Sequence, residues 1–180
     1  MFPPRLEGPR LLLRPLVAAD APRLTAILDD PAVHRNLRLE RPISLAAERE
    51  FITALARATE EVVVGIAARD DGRLLGVTGL HQLADPARQA EFGIFIGGPE
   101  EWGKGHGQEA TRLIVGYGFD ALRLNRVWLH VHADNARGIH AYERVGFRRE
   151  GVLRQAALRG DRFVDVIAMA VLREEWRARR

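Results

Sequence analysis

The chain has 180 residues, 47% of them hydrophobic, which is enough to bury a sizeable core, and one domain spanning 1–180 is the simplest organisation. It has no cysteine, which excludes disulfides, thiol nucleophiles and thiolate metal sites; the absence of an apolar run of roughly 18 residues or a leader-type segment argues against membrane and export, and favours a cytoplasmic location. The formal charge of +3 is almost all arginine, interspersed with Asp and Glu rather than gathered into a block, so no nucleic-acid partner is expected.

In chain order, "RLLLRPL" (10–16) reads as a short strand closed by Pro15, and Asp20 as the N-cap of a helix to about residue 29. The stretch 29–43 reads as irregular, with Ser44 capping a second helix that runs to about 59. Two apolar runs around Asp71-Gly72 form a hairpin signal, and "AEFGIFIGG" (90–98) gives a further strand. Ala110, Leu113, Ile114, Tyr117 and Ala121 recur at helical spacing over about 105–122. "RVWLHVHA" (126–133) is a strand, 135–146 a short helix ended by Gly146, and the remainder a hairpin turning near Gly160-Asp161. The order βααβββαβαββ implies an α/β domain with one mixed central sheet.

Between the strand and the helix lies "EEWGKGHGQEA", with glycines at 103, 105 and 107 and the chain's only lysine, Lys104. A strand, a glycine-rich turn and a helix N-terminus offer unpaired N–H groups and the positive end of the helix dipole, which suits a phosphate ester. The spacing fits neither G-x-x-x-x-G-K-[ST] nor G-x-G-x-x-G. A turn that merely needs flexible residues is the competing reading.

"EFGIFIGGPEEWGKGHGQEA" followed by "RVWLHVHADNARGIHAYERVGFRREG" resembles the GNAT superfamily of acetyl-CoA-dependent N-acetyltransferases, and within it the branch of ribosomal-protein-alanine and spermidine acetyltransferase-like enzymes. The resemblance implies a mostly antiparallel central sheet flanked by helices, the acyl-CoA N-acyltransferase fold. It also implies acetyl-CoA as co-substrate. The loop corresponds to the family's pyrophosphate motif, Arg/Gln-x-x-Gly-x-Gly/Ala, with Trp102 in the first position and Gly105 and Gly107 in the glycine positions. Gly103 and Lys104, with His106 and Gln108 at the helix start, complete the implied cofactor loop. The pantetheine arm is implied to lie along the strand near Phe95, Ile96 and Gly97, with Asn135 contacting it and Arg144 approaching the phosphates. Tyr142 matches the family's general acid for the departing thiolate. The competing readings are an N-cap for Asn135, a solvated surface arginine for Arg144 and a packing tyrosine for Tyr142.

Direct attack by an amine needs a base, and Glu91 at the start of the strand entering the cleft is the first candidate, with His81 the alternative and a substrate contact. His130, His132 and His140 lack a carboxylate at ligand spacing, so no metal is expected. Arg35, Arg38 and Arg41 make the segment after the first helix basic, which disfavours a polycation and favours a protein or peptide N-terminal α-amine or a small amino compound. A polyamine or aminoglycoside acetyltransferase is the alternative of the same fold, and a non-catalytic CoA-binding sensor the alternative of another class. Dimers are common in the branch, so the resemblance also carries the expectation of a homodimer.

Overall fold

A computed structural model describes residues 4–35, 37 and 43–179. Eight strands form one sheet: β1 (Leu6–Glu7), β2 (Leu11–Arg14), β3 (Val62–Ala68), β4 (Leu74–His81), β5 (Gln89–Ile96), β6 (Arg126–His132), β7 (Arg148–Arg159) and β8 (Arg162–Leu172). Their spatial order is β1-β2-β3-β4-β5-β6-β8-β7. All neighbours are antiparallel except β5 and β6, which are parallel because α4 (His106–Asp120) crosses over between them. The remaining helices are α1 (Ala21–Asp29), α2 (Pro31–His34), α3 (Leu45–Leu55), α5 (Ala136–Val145) and α6 (Arg173–Arg177).

Strand alternation divides the core into two layers. On β3, Val62, Val64 and Ile66 face the α4 side, where Ile114, Val115 and Phe119 cover them, while Val63 faces Leu24 and Leu28 of α1 and Ile52 of α3. A strand buried on both faces reads as the unbroken run "VVVGIAA". At the other edge β7 is largely exposed, and its register breaks between Leu153 and Ala157, with Gln155 at φ 52°. Such a bulge blunts an edge strand against unwanted pairing.

The elements read from the sequence are present, and three short ones join them: β1, α2 and α6. Residues 31–34, read as irregular, are helical because Pro31 occupies the first helical position and the Asp30 carboxylate accepts the Ala32 N–H at 2.8 Å. Ser44 caps α3 through Ala47 N–H at 3.1 Å. Asp20 stands at the N-cap position of α1, but its side chain makes no cap bond. It holds both Arg14 nitrogens at 2.8 Å and accepts Val17 N–H at 2.9 Å. A bidentate charged pair outcompetes a single neutral-donor cap.

Glu109 joins the helix layer to the sheet edge. Its buried carboxylate accepts N–H groups of Arg10 at 2.8 Å and Leu11 at 3.0 Å and the Arg10 Nε at 2.9 Å. Burial pushes this carboxyl upward, but the Arg10 and Leu11 donors outweigh it and hold it below its ordinary 4.5. Glu109→Ala strands these donors and is expected to cost about 3 kcal/mol, read as a lower midpoint in urea unfolding. Because the folded-state value is depressed, the contribution of the charged form is complete above pH 4.5 and vanishes as pH falls through the lowered value. The stability gap between wild type and variant should therefore narrow on acidification, leaving the part due to the stranded donors.

Candidate active site

The β5–β6 ladder is short. Its parallel pairs run only from Gln89–Arg126 to Glu91–Trp128, while β5 continues alongside β4 to Ile96. The two strands separate beyond Glu91, and the gap opens into a cavity of about 540 Å³. In the β4–β5 ladder, the Gly97 N–H bonds to the Leu75 C=O at 2.7 Å, which fixes the alternation. Odd residues of β5, Phe95 included, turn their backbone groups toward β4, and Ile94 and Ile96 turn theirs into the gap. Of Phe95, Ile96 and Gly97, only Ile96 offers its backbone to a molecule lying there.

At one end of the cavity the chain makes a 3-10 turn (Pro99–Glu101) and the glycine loop. Gly103 and Gly105 have φ of 75° and 82°, a region that L side chains avoid, so these two glycines set the turn. Gly107 has ordinary backbone geometry, and a Cβ there would meet nothing within 4 Å. Its space opens onto the cavity. The first intrahelical bond of α4 is Glu109 N–H to Gly105 C=O at 3.1 Å, so the N–H groups of His106, Gly107 and Gln108 precede the helical ladder.

Glu101 anchors this loop. It is 3% exposed and binds Arg73 at 2.7 Å and Lys104 at 3.2 Å. Burial raises its carboxyl, and Arg73 and Lys104 more than reverse this, so it stays ionised. Lys104 is therefore occupied with the loop's own acid and is not among the residues lining the cavity. His106 lines it, and burial holds its imidazole below the usual value, so the ring is neutral near pH 7.

Trp102 fills the first motif position with two contacts: its indole N–H donates to Ile96 C=O at 3.3 Å, and the Arg137 guanidinium stacks on its ring at 3.6 Å. Sequence reasoning missed Arg137. Burial lowers its pKa, and the charge of Arg35 lowers it further. Neither has a carboxylate partner among the described residues. A cation in the first turn of α5, at the positive end of the helix dipole, was the available signal that an anion belongs nearby.

Asn135 caps α5 by accepting Gly138 N–H at 3.0 Å and also lines the cavity, which leaves its amide donors for a second partner. Tyr142 lines the cavity farther along α5. Its ring meets Phe92 edge-on at 5.9 Å and Phe147 at 6.0 Å, and burial pushes its phenol up to about 12 against the pull of Arg137. Arg144 is not brought to the cavity. Seven residues beyond Arg137, it lies about 10 Å farther along the helix, exposed, with its Nε bonded to His140 at 3.1 Å.

Glu91 lines the cavity where the strands part and accepts a bond from Gln82 Nε2 at 3.2 Å. His81 faces it across the β4–β5 ladder, and its Nδ1 lies 2.8 Å from Glu61. Val33 of α2 and Leu37 line the cavity, and Arg35 between them in sequence does not; Arg38 and Arg41 lie outside the described residues. His130, His132 and His140 line the same cavity, but among the described residues no three metal-ligating side chains converge. Nor is any described helix long and apolar enough to cross a membrane.

Residues 10–148 match the family model described as an acetyltransferase (GNAT) domain. The chain is 37% identical over 158 residues to the uncharacterized N-acetyltransferase YoaA of Bacillus subtilis, covering 86% of this chain and 88% of that one. It is 31% identical over 175 residues to the putative ribosomal N-acetyltransferase YdaF of the same organism, covering 92% and 93%. Among solved structures, spermidine N-acetyltransferase from Vibrio cholerae in complex with CoA and spermine superposes with a TM-score of 0.85 at 26% identity, covering 94% of this chain and 99% of that one. With the family model matched over residues 10–148 and sequence similarity along most of the chain, the chain belongs to the GNAT family of acetyl-CoA-using N-acetyltransferases.

Proposed function

We propose that the enzyme transfers the acetyl group of acetyl-CoA directly to a peptide N-terminal α-amine or a small amino compound. One observation carries the reading: a single cavity runs from the glycine loop, past the free backbone edge of β5, to Tyr142. The loop N–H groups and Arg137 would hold the phosphates, the β5 edge and Asn135 the pantetheine, and Tyr142 would donate to the sulfur as it leaves. A backbone N–H of β5 in the gap would stabilise the oxyanion. With no thiol in the chain, attack within a ternary complex is the simplest route, and the protein contributes position and proton transfer.

The acceptor preference rests on charge. Among the described residues the acidic side chains on the cavity are Glu91 and Glu101, and Glu101 is already neutralised by Arg73 and Lys104. Arg137, whose pKa the charge of Arg35 also lowers, makes that end cationic. A polycation gains little attraction from such a surface, whereas an amine with a nearby carboxylate or neutral backbone meets no repulsion. The second reading, a polyamine acceptor, is favoured by the likeness to spermidine N-acetyltransferases from Vibrio cholerae.

A panel of Ala-, Ser- and Met-starting peptides, free amino acids, spermidine and an aminoglycoside separates the two when thiol release from acetyl-CoA is followed. Peptides or amino acids are expected to exceed spermidine in kcat/KM by about tenfold or more, a difference of roughly 1.4 kcal/mol in transition-state binding. Preference for spermidine would establish the second reading.

A further inference from the structure

On the β4–β5 ladder, Gly79 pairs with Gly93 and His81 with Glu91, so all four positions share the sheet face covered by α1 and α3. A Cβ on Gly79 would lie 3.2 Å from His81 Nε2, and one on Gly93 3.5 Å from it. The imidazole therefore lies along the sheet over two adjacent glycines, Nε2 slightly nearer Gly79 than Gly93; Gly93 lines the cavity, and His81 stands just behind it rather than in the lining. Its other nitrogen, Nδ1, is 2.8 Å from Glu61 Oε2, just before β3. Among the described residues Nε2 has no hydrogen-bond partner.

We propose that Glu61 and His81 form the proton-accepting dyad of this acetyltransferase, with His81 as the base and Glu61 as its positioning residue. The proposal rests on the acetyl-transfer reading above and assigns the base within it. A carboxylate accepts, so Glu61 draws the single proton of neutral imidazole onto Nδ1 and leaves the lone pair on Nε2. Glu91, the other carboxyl at this end, instead holds Gln82. Tyr142 packs on Phe92, whose side chain faces the opposite side of the sheet from Gly93. Base and acid thus flank β5 on its two faces at successive residues.

The chemistry balances. The ammonium form of the acceptor gives one proton to His81 Nε2, and its freed electron pair bonds to the thioester carbonyl carbon. The C–S bond breaks with its electron pair on sulfur, and the second nitrogen proton ends on that sulfur through Tyr142 or water. The products are amide and free thiol, and the proton on His81 passes to solvent.

Two readouts on one set of samples test this. Nitrogen-15 NMR of the histidines above the imidazole titration should find the Nδ1–H tautomer at His81 in the wild type and its loss in Glu61→Ala. With the best acceptor of the panel, His81→Ala should lower kcat/KM about 100-fold and abolish the acid limb of the pH–rate profile, and Glu61→Ala should lower it about tenfold and move that limb. Calorimetric affinity for acetyl-CoA should stay within about twofold of wild type in both, a bound that also excludes misfolding. An Nε2–H tautomer in the wild type overturns the dyad even if no acceptor is turned over. A His81→Ala enzyme that keeps its rate and acid limb, or a Glu91→Gln enzyme that loses them instead, overturns the role. If acetyl-CoA does not bind the wild type at all, the acetyl-transfer reading itself has failed, which the tautomer result alone would not indicate.

Discussion

Replacing Gly107 by alanine should weaken acetyl-CoA binding by about tenfold or more while leaving the protein as stable as wild type or more so. The two expectations pull apart because of where this glycine sits. Its backbone is helical, a Cβ would strike nothing in the protein, and alanine is the better helix former by up to about 1 kcal/mol. The same Cβ would project into the space that a phosphate needs in order to reach the N–H groups at the start of α4. Overpacking such a contact costs about 1–3 kcal/mol, about 5- to 150-fold in Kd, and valine should fall at the upper end. Gly105→Ala should behave differently: at φ 82°, with the Arg10 guanidinium 3.0 Å from the new Cβ, it should lower thermal stability as well. Isothermal titration with acetyl-CoA beside thermal melts of the wild type and the three variants separates these outcomes. Unchanged affinity in Gly107→Val would mean that the coenzyme does not approach this turn.

Tyr142→Phe is the second large effect. The ring packing on Phe92 and Phe147 survives the substitution, so only the hydroxyl is removed. A phenol near 12 is a weaker acid than an alkyl thiol, so outright proton donation to the departing thiolate would run uphill. Hydrogen-bond donation to the charge growing on sulfur is therefore the larger part of its work. We expect kcat to fall about 10- to 100-fold with acetyl-CoA affinity unchanged, below the full general-acid effect. Tyr142 should also add no limb to the pH–rate profile below about pH 11, because its raised value keeps it protonated there. A variant with wild-type kcat would remove Tyr142 from the chemistry.

What was legible in the sequence was what local chemistry dictates. The Asp71-Gly72 and Gly160-Asp161 turns, with Gly72 and Gly160 at positive φ, mark their hairpins, and Ser44 and Asn135 cap the helices that follow them. What was not legible depends on residues distant in sequence. The residue at which β5 parts from β6, just after Glu91, is a property of a parallel ladder whose strands are joined through α4, and no local pattern encodes that ladder's length. Glu61 and His81 meet because β3 pairs with β4, and Arg137 meets Trp102 because α5 folds back over the loop. The flat lie of His81 needs glycine at both 79 and 93, a cross-strand pairing that linear spacing does not reveal. The phosphate-loop glycines were visible as a group, but their division into two that set the turn and one that clears space needed dihedral angles.

A crystal structure of the protein with CoA would decide whether the gap between β5 and β6 is the acetyl-CoA site. The pantetheine arm should bond to the backbone of Ile94 or Ile96, with the pyrophosphate at the N–H groups around Gly105 to Gln108 and the sulfur within reach of Tyr142. CoA bound elsewhere, or bound with its sulfur on the far side of the sheet from Tyr142, would contradict that placement.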